Sequence, residues 1–346
     1  MTSAVNKNRI CATFAMIAVI GFCYKIRSSE MTQFQGQALG AKFNIKYISD
    51  DSIKVEEVSD FIEKFFIDLQ NKTSLYQKGS ELIRINRAPA ARWIPISHDL
   101  GFIISYALNL SRITDGYYDI TTGSLTKIWA MDSLLQVEPD VPRENELIKA
   151  RINVGYNKVK WKINDNIYYL YKDHQNIVID LASLTAGFAA DGIARYLDSI
   201  KIKNYMVDVG GEFLTSGTNK GKDWIIGIED PFVPSGKNVQ TVALNNMAMA
   251  TSGSYKNFIK QKNIRYSHIM NPHTGKPVVG NLISVSVLQK KCMEADALAT
   301  AIFAMGESRG YHFAASNHIP VFMVVLNQKG IPMYQFTAEM KKYLLQ

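Results

Sequence analysis

Cysteine is scarce in this chain. Of 346 residues only three are cysteines, and two of these, Cys11 and Cys23, lie in the N-terminal apolar stretch. The remainder keeps only Cys292, so it can form neither an internal disulfide nor a thiolate zinc cluster. Disulfide-stapled scaffolds and cysteine-based zinc modules are therefore excluded.

Long basic runs are also missing. The net charge is +8, yet Lys and Arg are scattered, with only the short pairs Lys290-Lys291 and Lys341-Lys342 and no basic helix interleaved with aromatic residues. The sequence therefore predicts no nucleic-acid partner. A hydrophobic content of 47% is ample for a packed core in one large domain or two modest ones.

The first thirty residues resemble an export segment. Lys7 and Arg9 precede an apolar run from Ile10 to Tyr24, which is the charge-then-hydrophobe order of a signal sequence. The run is short for a spanning helix, which needs roughly 20 apolar residues. Residues 1–30 are interpreted as a signal or anchor and residues 31–346 as one globular domain. An uncleaved anchor is favoured over lipidation at Cys23, because Phe22 precedes the cysteine where a small residue is expected.

Hydrophobic periodicity predicts an α+β fold of mixed sheets with interspersed helices. Helices are predicted over Ile53–Gln70, His98–Thr114 and Leu184–Ile200, and a surface excursion over Glu138–Pro142. Strand-like segments are Leu39–Ile48, the two extended runs within Ile167–Asp180, Tyr205–Val209, Trp224–Glu229, Val239–Leu244, Leu282–Val287 and Ile319–Val325. This order of elements does not show the regular strand-helix alternation of a doubly wound parallel sheet.

One pair of oxygen-bearing residues suggests a hard-cation site. Asp296 and Thr300 are four residues apart in a stretch rich in alanine, which places both on one face of a predicted helix. Oxygen ligands of this kind suit Mg²⁺. Taken alone, the pair is more often a solvated face or a local hydrogen bond.

Three further motifs combine small residues with one polar group. Asp180 precedes a helix whose free N–H groups would attract an anion, although an ordinary N-cap is the better interpretation of this motif alone. Gly210-Gly211 would let a ligand approach the backbone, or simply form a tight turn. His268 lies before a Pro/Gly turn, where a histidine can serve as a general base but is more often structural.

Further motifs fall in a fixed order along the chain: Leu39-Gly40-Ala41, Ser74-Leu75-Tyr76 with Ser80-Glu81, Tyr118-Asp119-Ile120-Thr121 with Trp129, Asp180 through Asp191, Gly210-Gly211-Glu212, Trp224 to Pro231, Thr251-Ser252-Gly253, His268 through Pro277, and Ala295 through Thr300. Taken together and in this order, they resemble the FAD:protein FMN transferases of the ApbE family. The resemblance covers the body from about Gln37 to the end and implies an ApbE-like, T-fold-related architecture.

The resemblance also implies an activity and a set of roles. The enzyme would use Mg²⁺ to cleave FAD and attach FMN through a phosphoester to Thr or Ser of an acceptor protein, releasing AMP. Acceptors would be subunits of membrane redox complexes of the NADH:quinone reductase or Rnf type, reached from the periplasmic face of the inner membrane. The implied Mg²⁺ ligands are Asp296, Thr300 and the backbone carbonyl of Ser183, and the implied base is His268. The implied FAD contacts are Leu39, Tyr76, Tyr117, Tyr118, Asp119, Asp180, Ala186 and Met270.

The chain departs from the family pattern at four positions. Ala186 stands where the family commonly carries Lys or Glu, and losing a bond to a charged group typically costs ~1.5–3 kcal/mol. Ser254 stands where Asp is frequent, and Leu39 and Ala41 replace Met and Thr. The sequence leaves two alternatives open: an FAD pyrophosphatase that releases FMN, and a flavin-binding protein without turnover.

Overall fold

The computed structural model describes residues 26–28, 31–49, 53–129, 142–233, 236–255, 258–261 and 264–345. Nearly all of the predicted export segment lies outside these ranges, as does most of the predicted excursion that begins at Glu138. Within the described ranges, no helix has both the length and the apolar character needed to cross a bilayer.

The elements alternate irregularly along the chain. The helices are α1 (Val55–Thr73), α2 (Glu81–Arg87), α3 (His98–Ile113), α4 (Gly123–Ile128), α5 (Glu144–Arg151), α6 (Ala182–Ser199), α7 (Cys292–Met305) and α8 (Glu307–Ser316), with 3-10 turns at Tyr156–Lys158 and Lys341–Tyr343. The strands are β1 (Ile26–Ser28), β2 (Met31–Ala38), β3 (Ala41–Ile48), β4 (Ile94–Ile96), β5 (Val159–Asn164), β6 (Ile167–Lys172), β7 (Asn204–Val209), β8 (Glu212–Ser216), β9 (Trp224–Glu229), β10 (Asn238–Leu244), β11 (Ala248–Gly253), β12 (Phe258–Gln261), β13 (Ile264–Ser267), β14 (Met270–Asn271), β15 (Lys276–Pro277), β16 (Leu282–Gln289), β17 (Val321–Leu326) and β18 (Pro332–Phe336).

Nine strands form the central sheet, in the order β1-β2-β3-β7-β8-β11-β16-β17-β18. Each neighbouring pair in it is antiparallel. Because antiparallel neighbours need no crossover helix, the helices are free to gather on one face. This confirms the predicted α+β class.

Both faces of the sheet are covered, as β17 shows. Val321, Met323 and Val325 join the main core, which contains the buried sides of α1, α3, α6 and α7. Phe322 and Val324 point the other way, into a second cluster with residues of the β9–β10 ribbon. This alternation with a period of two is typical of a strand between two apolar layers.

Helix α7 lies at the centre of the helical layer. It packs between α6 and strands β11 and β16, and its alanines are almost completely buried. Small side chains let neighbouring backbones come close, and at Gly187 of α6 an added Cβ would lie 2.6 Å from the Cys292 carbonyl oxygen. The first turn of α7 is therefore held tightly against α6.

Most of the predicted elements are present. The three predicted helices correspond to α1, α3 and α6, and the predicted strands include β3, β6, β7, β9, β10, β16 and β17. Two predictions were wrong in detail. Leu39 begins no strand, because Leu39 and Gly40 form the turn between β2 and β3 with φ of 55° and 77°. The run 177–179 makes only an isolated bridge between Val178 and Thr122.

Candidate active site

A single large cavity brings together most of the residues that the sequence singled out. Its volume is about 750 Å³, within the ~300–1,000 Å³ typical of small-molecule sites. Of the predicted residues it is lined by Tyr76, Tyr117, Tyr118, Asp119, Asp180, Ser183, His268, Met270, Asp296 and Thr300. Leu39 and Ala186 are not among the lining residues.

Helix α7 contributes a carboxylate and a hydroxyl to the cavity. Asp296 is only 6% exposed, and its Oδ2 accepts a hydrogen bond of 3.3 Å from the Gly187 N–H. Burial raises the pKa of Asp296 to about 7, against the lowering effect of that N–H. One turn later, the Thr300 hydroxyl lies 3.0 Å from the Ser252 hydroxyl on β11. The predicted helical spacing thus places both oxygens on the cavity side.

The start of α6 approaches the same place. Ser183 departs from helical geometry, with φ −81° and ψ 16°. A helical ψ is near −42°, so its carbonyl is rotated by about 60° from the helix direction. Its hydroxyl meets the Tyr118 hydroxyl at 2.9 Å, and burial raises the pKa of Tyr118 well above its usual value. Tyr118 therefore remains protonated and orients this first turn.

The donor set fits Mg²⁺. Within the described part of the chain, no cluster of three or more His, Cys, Asp and Glu side chains could hold a metal, so a cation at this cavity would also need oxygens from hydroxyls, backbone carbonyls, water or substrate. A buried carboxylate, a hydroxyl and a rotated carbonyl are all oxygen donors, which Mg²⁺ prefers alongside water and substrate phosphate. The cavity also has four carboxylate residues, Asp119, Asp180, Glu212 and Asp296, against the cations Arg87 and Lys127. An anionic substrate would therefore need an added cation.

Two glycines form the floor between β7 and β8. Gly210 and Gly211 have φ of 74° and 102°, a region that other residues rarely adopt, and both line the cavity. A Cβ added to Gly210 would lie 3.2 Å from the Ala41 side chain and 4.0 Å from that of Ala186. Ala41 and Ala186 thus lie next to Gly210, although neither lines the cavity.

The aromatic residues differ in their surroundings. Tyr76 is 62% exposed at the cavity wall, so much of its ring is accessible from the cavity. The Tyr117 hydroxyl accepts a 2.7 Å bond from Arg309, whose guanidinium lies 4.7 Å from the ring centre. His273 contacts the Tyr117 ring, with the two ring centres 4.4 Å apart.

Two predicted carboxylates are engaged by the backbone. Asp119 Oδ1 accepts from the Thr121 N–H and hydroxyl at 2.8 and 2.7 Å, and its Oδ2 accepts from the Tyr156 N–H at 2.8 Å. Burial raises the pKa of Asp119, while these bonds lower it. Asp119 therefore organises the loop that carries Tyr117 and Tyr118. Asp180 Oδ1 accepts from the Ala182 N–H at 2.9 Å, although the N-cap position is Leu181.

His268 and Met270 reach the cavity from the stretch where the chain passes from β13 into β14. His268 is exposed at the cavity surface, and Met270 is buried in the short strand β14. Met270 belongs to a small separate core that includes Leu125 and Trp129. The Trp129 indole N–H donates to the Gly275 carbonyl at 3.1 Å, which anchors the turn after His268.

Comparison with known proteins identifies the family. The ApbE family model matches residues 39–323. The chain belongs to the ApbE family. A FAD:protein FMN transferase of Vibrio cholerae is 34% identical over 331 residues, covering 95% of this chain and 96% of the relative. One of Haemophilus influenzae is 32% identical, covering 91% and 92%.

Solved structures agree with this assignment. The flavin transferase ApbE from Vibrio cholerae superposes with a TM-score of 0.81 at 34% identity, covering 91% of this chain and 99% of that one. The predicted ApbE-like fold is thereby confirmed, and the chain is an enzyme of the transferase class. The names of its relatives support flavin transfer as the reaction.

Some residues of this ApbE-family cavity had no predicted role. Asn86 lines it, and its side-chain amide exchanges hydrogen bonds of 2.9 and 2.8 Å with the backbone of Ile179. Ser252, another lining residue, contacts Thr300. Arg309 does not line the cavity itself but contacts the lining residue Tyr117. Ser252 belongs to the motif Thr251-Ser252-Gly253, but no local signal marked Asn86 or Arg309, because their partners are far away in sequence.

Proposed function

We propose that this chain is a Mg²⁺-dependent FAD:protein FMN transferase that joins FMN to a Thr or Ser hydroxyl of an acceptor protein and releases AMP. The observation that carries the proposal is the meeting of His268, Asp296 and Thr300 at one cavity of about 750 Å³. An exposed aromatic ring at Tyr76 offers a stacking surface for a flavin at the same cavity.

The bond changes balance without a further reactant. The acceptor oxygen forms a bond to the phosphorus of the FMN half of FAD, and the phosphorus–oxygen bond to the AMP phosphate breaks. The acceptor proton moves to His268, and AMP leaves. A base with a pKa near neutrality contributes on the order of 10²–10⁴ to such a rate. His268 is suited to this role because it is exposed at the cavity, where an incoming protein segment can reach it.

Asp296, Thr300 and the Ser183 carbonyl would hold Mg²⁺. When bound, the ion would neutralise charge on the pyrophosphate. The Tyr118 hydroxyl orients the Ser183 turn, and the Gly187 N–H orients the Asp296 carboxylate. Gly210 and Gly211 leave the floor of the cavity open to close approach by a ligand.

One incubation separates this function from its alternatives. The purified full-length protein is mixed with FAD and Mg²⁺, with and without an acceptor domain bearing an Asp-Gly-x-Ser/Thr-x-Ala-Thr segment. Flavin fluorescence that stays on the acceptor after denaturation, with stoichiometric AMP, is the expected result. Free FMN with unlabelled acceptor would instead indicate a pyrophosphatase, and unchanged FAD would indicate a carrier.

We also propose that the body acts at the periplasmic face of the inner membrane, tethered by its N-terminal segment. Support comes from Lys7 and Arg9 preceding the apolar run Ile10 to Tyr24. Acceptor subunits of NADH:quinone reductase or Rnf-type complexes would be found at that membrane. A reporter enzyme that functions only outside the cytoplasm should be active when it is fused after Arg27. If, instead, only a reporter that functions inside the cytoplasm were active at this fusion point, the proposed location would be wrong.

A further inference from the structure

A buried carboxylate outside the cavity joins the two helices that carry the proposed metal ligands. Asp191 of α6 is 5% exposed and does not line the cavity. Its Oδ1 accepts a hydrogen bond of 2.9 Å from the Cys292 N–H, and its Oδ2 accepts one of 3.1 Å from the Met293 N–H. Both donors belong to the first turn of α7.

This contact supplies a cap that α7 lacks locally. The first N–H groups of a helix have no partner inside the helix, and they form the positive end of its dipole. The N-cap residue of α7 is Lys291, whose side chain makes no capping hydrogen bond. Asp191, which lies on the neighbouring helix α6, provides the missing cap through two charge-assisted hydrogen bonds. Such bonds are stronger than neutral ones.

A second contact of the same kind lies one helical turn away. Gly187 precedes Asp191 by four residues, and Asp296 follows Cys292 by four, so each pair shares a helix face. The Gly187 N–H donates to Asp296 Oδ2 at 3.3 Å. Each helix therefore provides one carboxylate to the backbone of the other, and the two attachments fix how α7 is placed along α6.

We propose that Asp191 is a positioning residue for the cation site. By holding the first turn of α7 against α6, it sets the separation between Asp296 and Thr300 on α7 and Ser183 on α6. The inference rests on the proposed function, since it takes these three residues as Mg²⁺ ligands. Mg²⁺ requires near-octahedral oxygen geometry at about 2.0–2.1 Å, so a small slip of α7 would weaken binding.

The test measures cation binding directly. Asp191→Asn keeps the side-chain size, but its amide can accept from one N–H while its NH₂ group faces the other. We expect the dissociation constant for Mn²⁺, followed by electron paramagnetic resonance, to rise ~10–100-fold, as for other groups that orient metal ligands. Turnover should then recover at high Mg²⁺, with KM for Mg²⁺ raised and kcat nearly restored.

Two further variants separate positioning from general loosening. Thr337→Val removes hydrogen bonds of 3.0 and 2.8 Å from a fully buried hydroxyl near β17, away from α6 and α7. It should lower the thermal midpoint and leave Mn²⁺ affinity unchanged. Asp191→Glu keeps the charge but displaces the carboxylate by one methylene, and it should also weaken Mn²⁺ binding. If Asp191→Asn fails to fold, Asp191→Glu provides the test of Mn²⁺ affinity.

The outcomes distinguish a failure of the metal assignment from a failure of the positioning role of Asp191. Failure of the wild-type protein to bind Mn²⁺ would overturn the metal assignment and this inference with it. Tight Mn²⁺ binding by the wild type and by both folded Asp191 variants would overturn this inference alone. Equal loss of affinity in Thr337→Val would show that the effect is general destabilisation, which also overturns it.

Discussion

Replacing Gly187 by alanine should separate the two helices that hold the proposed metal ligands. A Cβ built at Gly187 lies 2.6 Å from both the Cys292 carbonyl oxygen and the Met293 Cα, where ordinary contact begins at 3.4 Å. Both neighbours are backbone atoms, so no side chain can turn aside. Helix α7 must therefore move away from α6 by about 0.8 Å, the difference between those two distances.

The energetic cost and the functional cost should differ greatly. Alanine favours a helix over glycine by about 1 kcal/mol, whereas overpacking costs roughly 1–3 kcal/mol. The net loss of folding free energy is then about 0–2 kcal/mol. The same displacement stretches the 3.3 Å bond from the Gly187 N–H to Asp296 beyond hydrogen-bond range. A misplacement near 1 Å can cost about 10²-fold in rate, so FMN transfer should fall about that much.

The assay measures FMN transfer at several Mg²⁺ concentrations together with the thermal midpoint. Gly192→Ala on the same helix is the matched control, because its Cβ would meet the Phe65 ring of α1 rather than the α7 backbone. That variant should lose stability but keep its Mg²⁺ requirement. If Gly187→Ala transferred FMN at the wild-type rate with an unchanged Mg²⁺ requirement, the helix-separation argument would be refuted.

Three other predictions concern single residues. Asp296→Asn is nearly isosteric and should abolish most Mg²⁺-dependent transfer without unfolding the protein; full transfer at low Mg²⁺ would show that Asp296 is no ligand. His268→Asn should bind FAD normally, as measured by fluorescence titration, yet transfer FMN ~10²–10⁴-fold more slowly; a rate loss that only follows lost FAD affinity would defeat its role as base. Burial lowers the pKa of Lys172 from 10.5 to about 8. At pH values between these two pKa values, the unfolded chain therefore binds more protons than the folded chain. The unfolding free energy of the wild type minus that of Lys172→Met should rise with pH across this range, by at most about 3 kcal/mol. A difference that stays constant in denaturant titrations across this range would contradict the shifted pKa.

Local pattern was sufficient for much of the architecture. The apolar spacing of α1 and the apolar run of β16 specify their conformations because each must place a continuous apolar surface against the core. The i, i+4 spacing of Asp296 and Thr300 likewise placed both on one side of α7, as the cavity shows. The motif order from Leu39 to Thr300 identified the family, which the comparisons confirm.

Tertiary structure alone decided how these pieces meet. Leu39 alternates with its neighbours like a strand residue, yet the register of β2 on β3 makes it a turn residue with φ of 55°. The run 177–179 looks like a strand, but Ile179 bonds to the Asn86 side chain. Asp191 looks like one more polar position in α6 until α7 is placed beside it. Periodicity reports which face of an element is apolar, whereas these contacts depend on which distant elements become neighbours, and local sequence does not encode that.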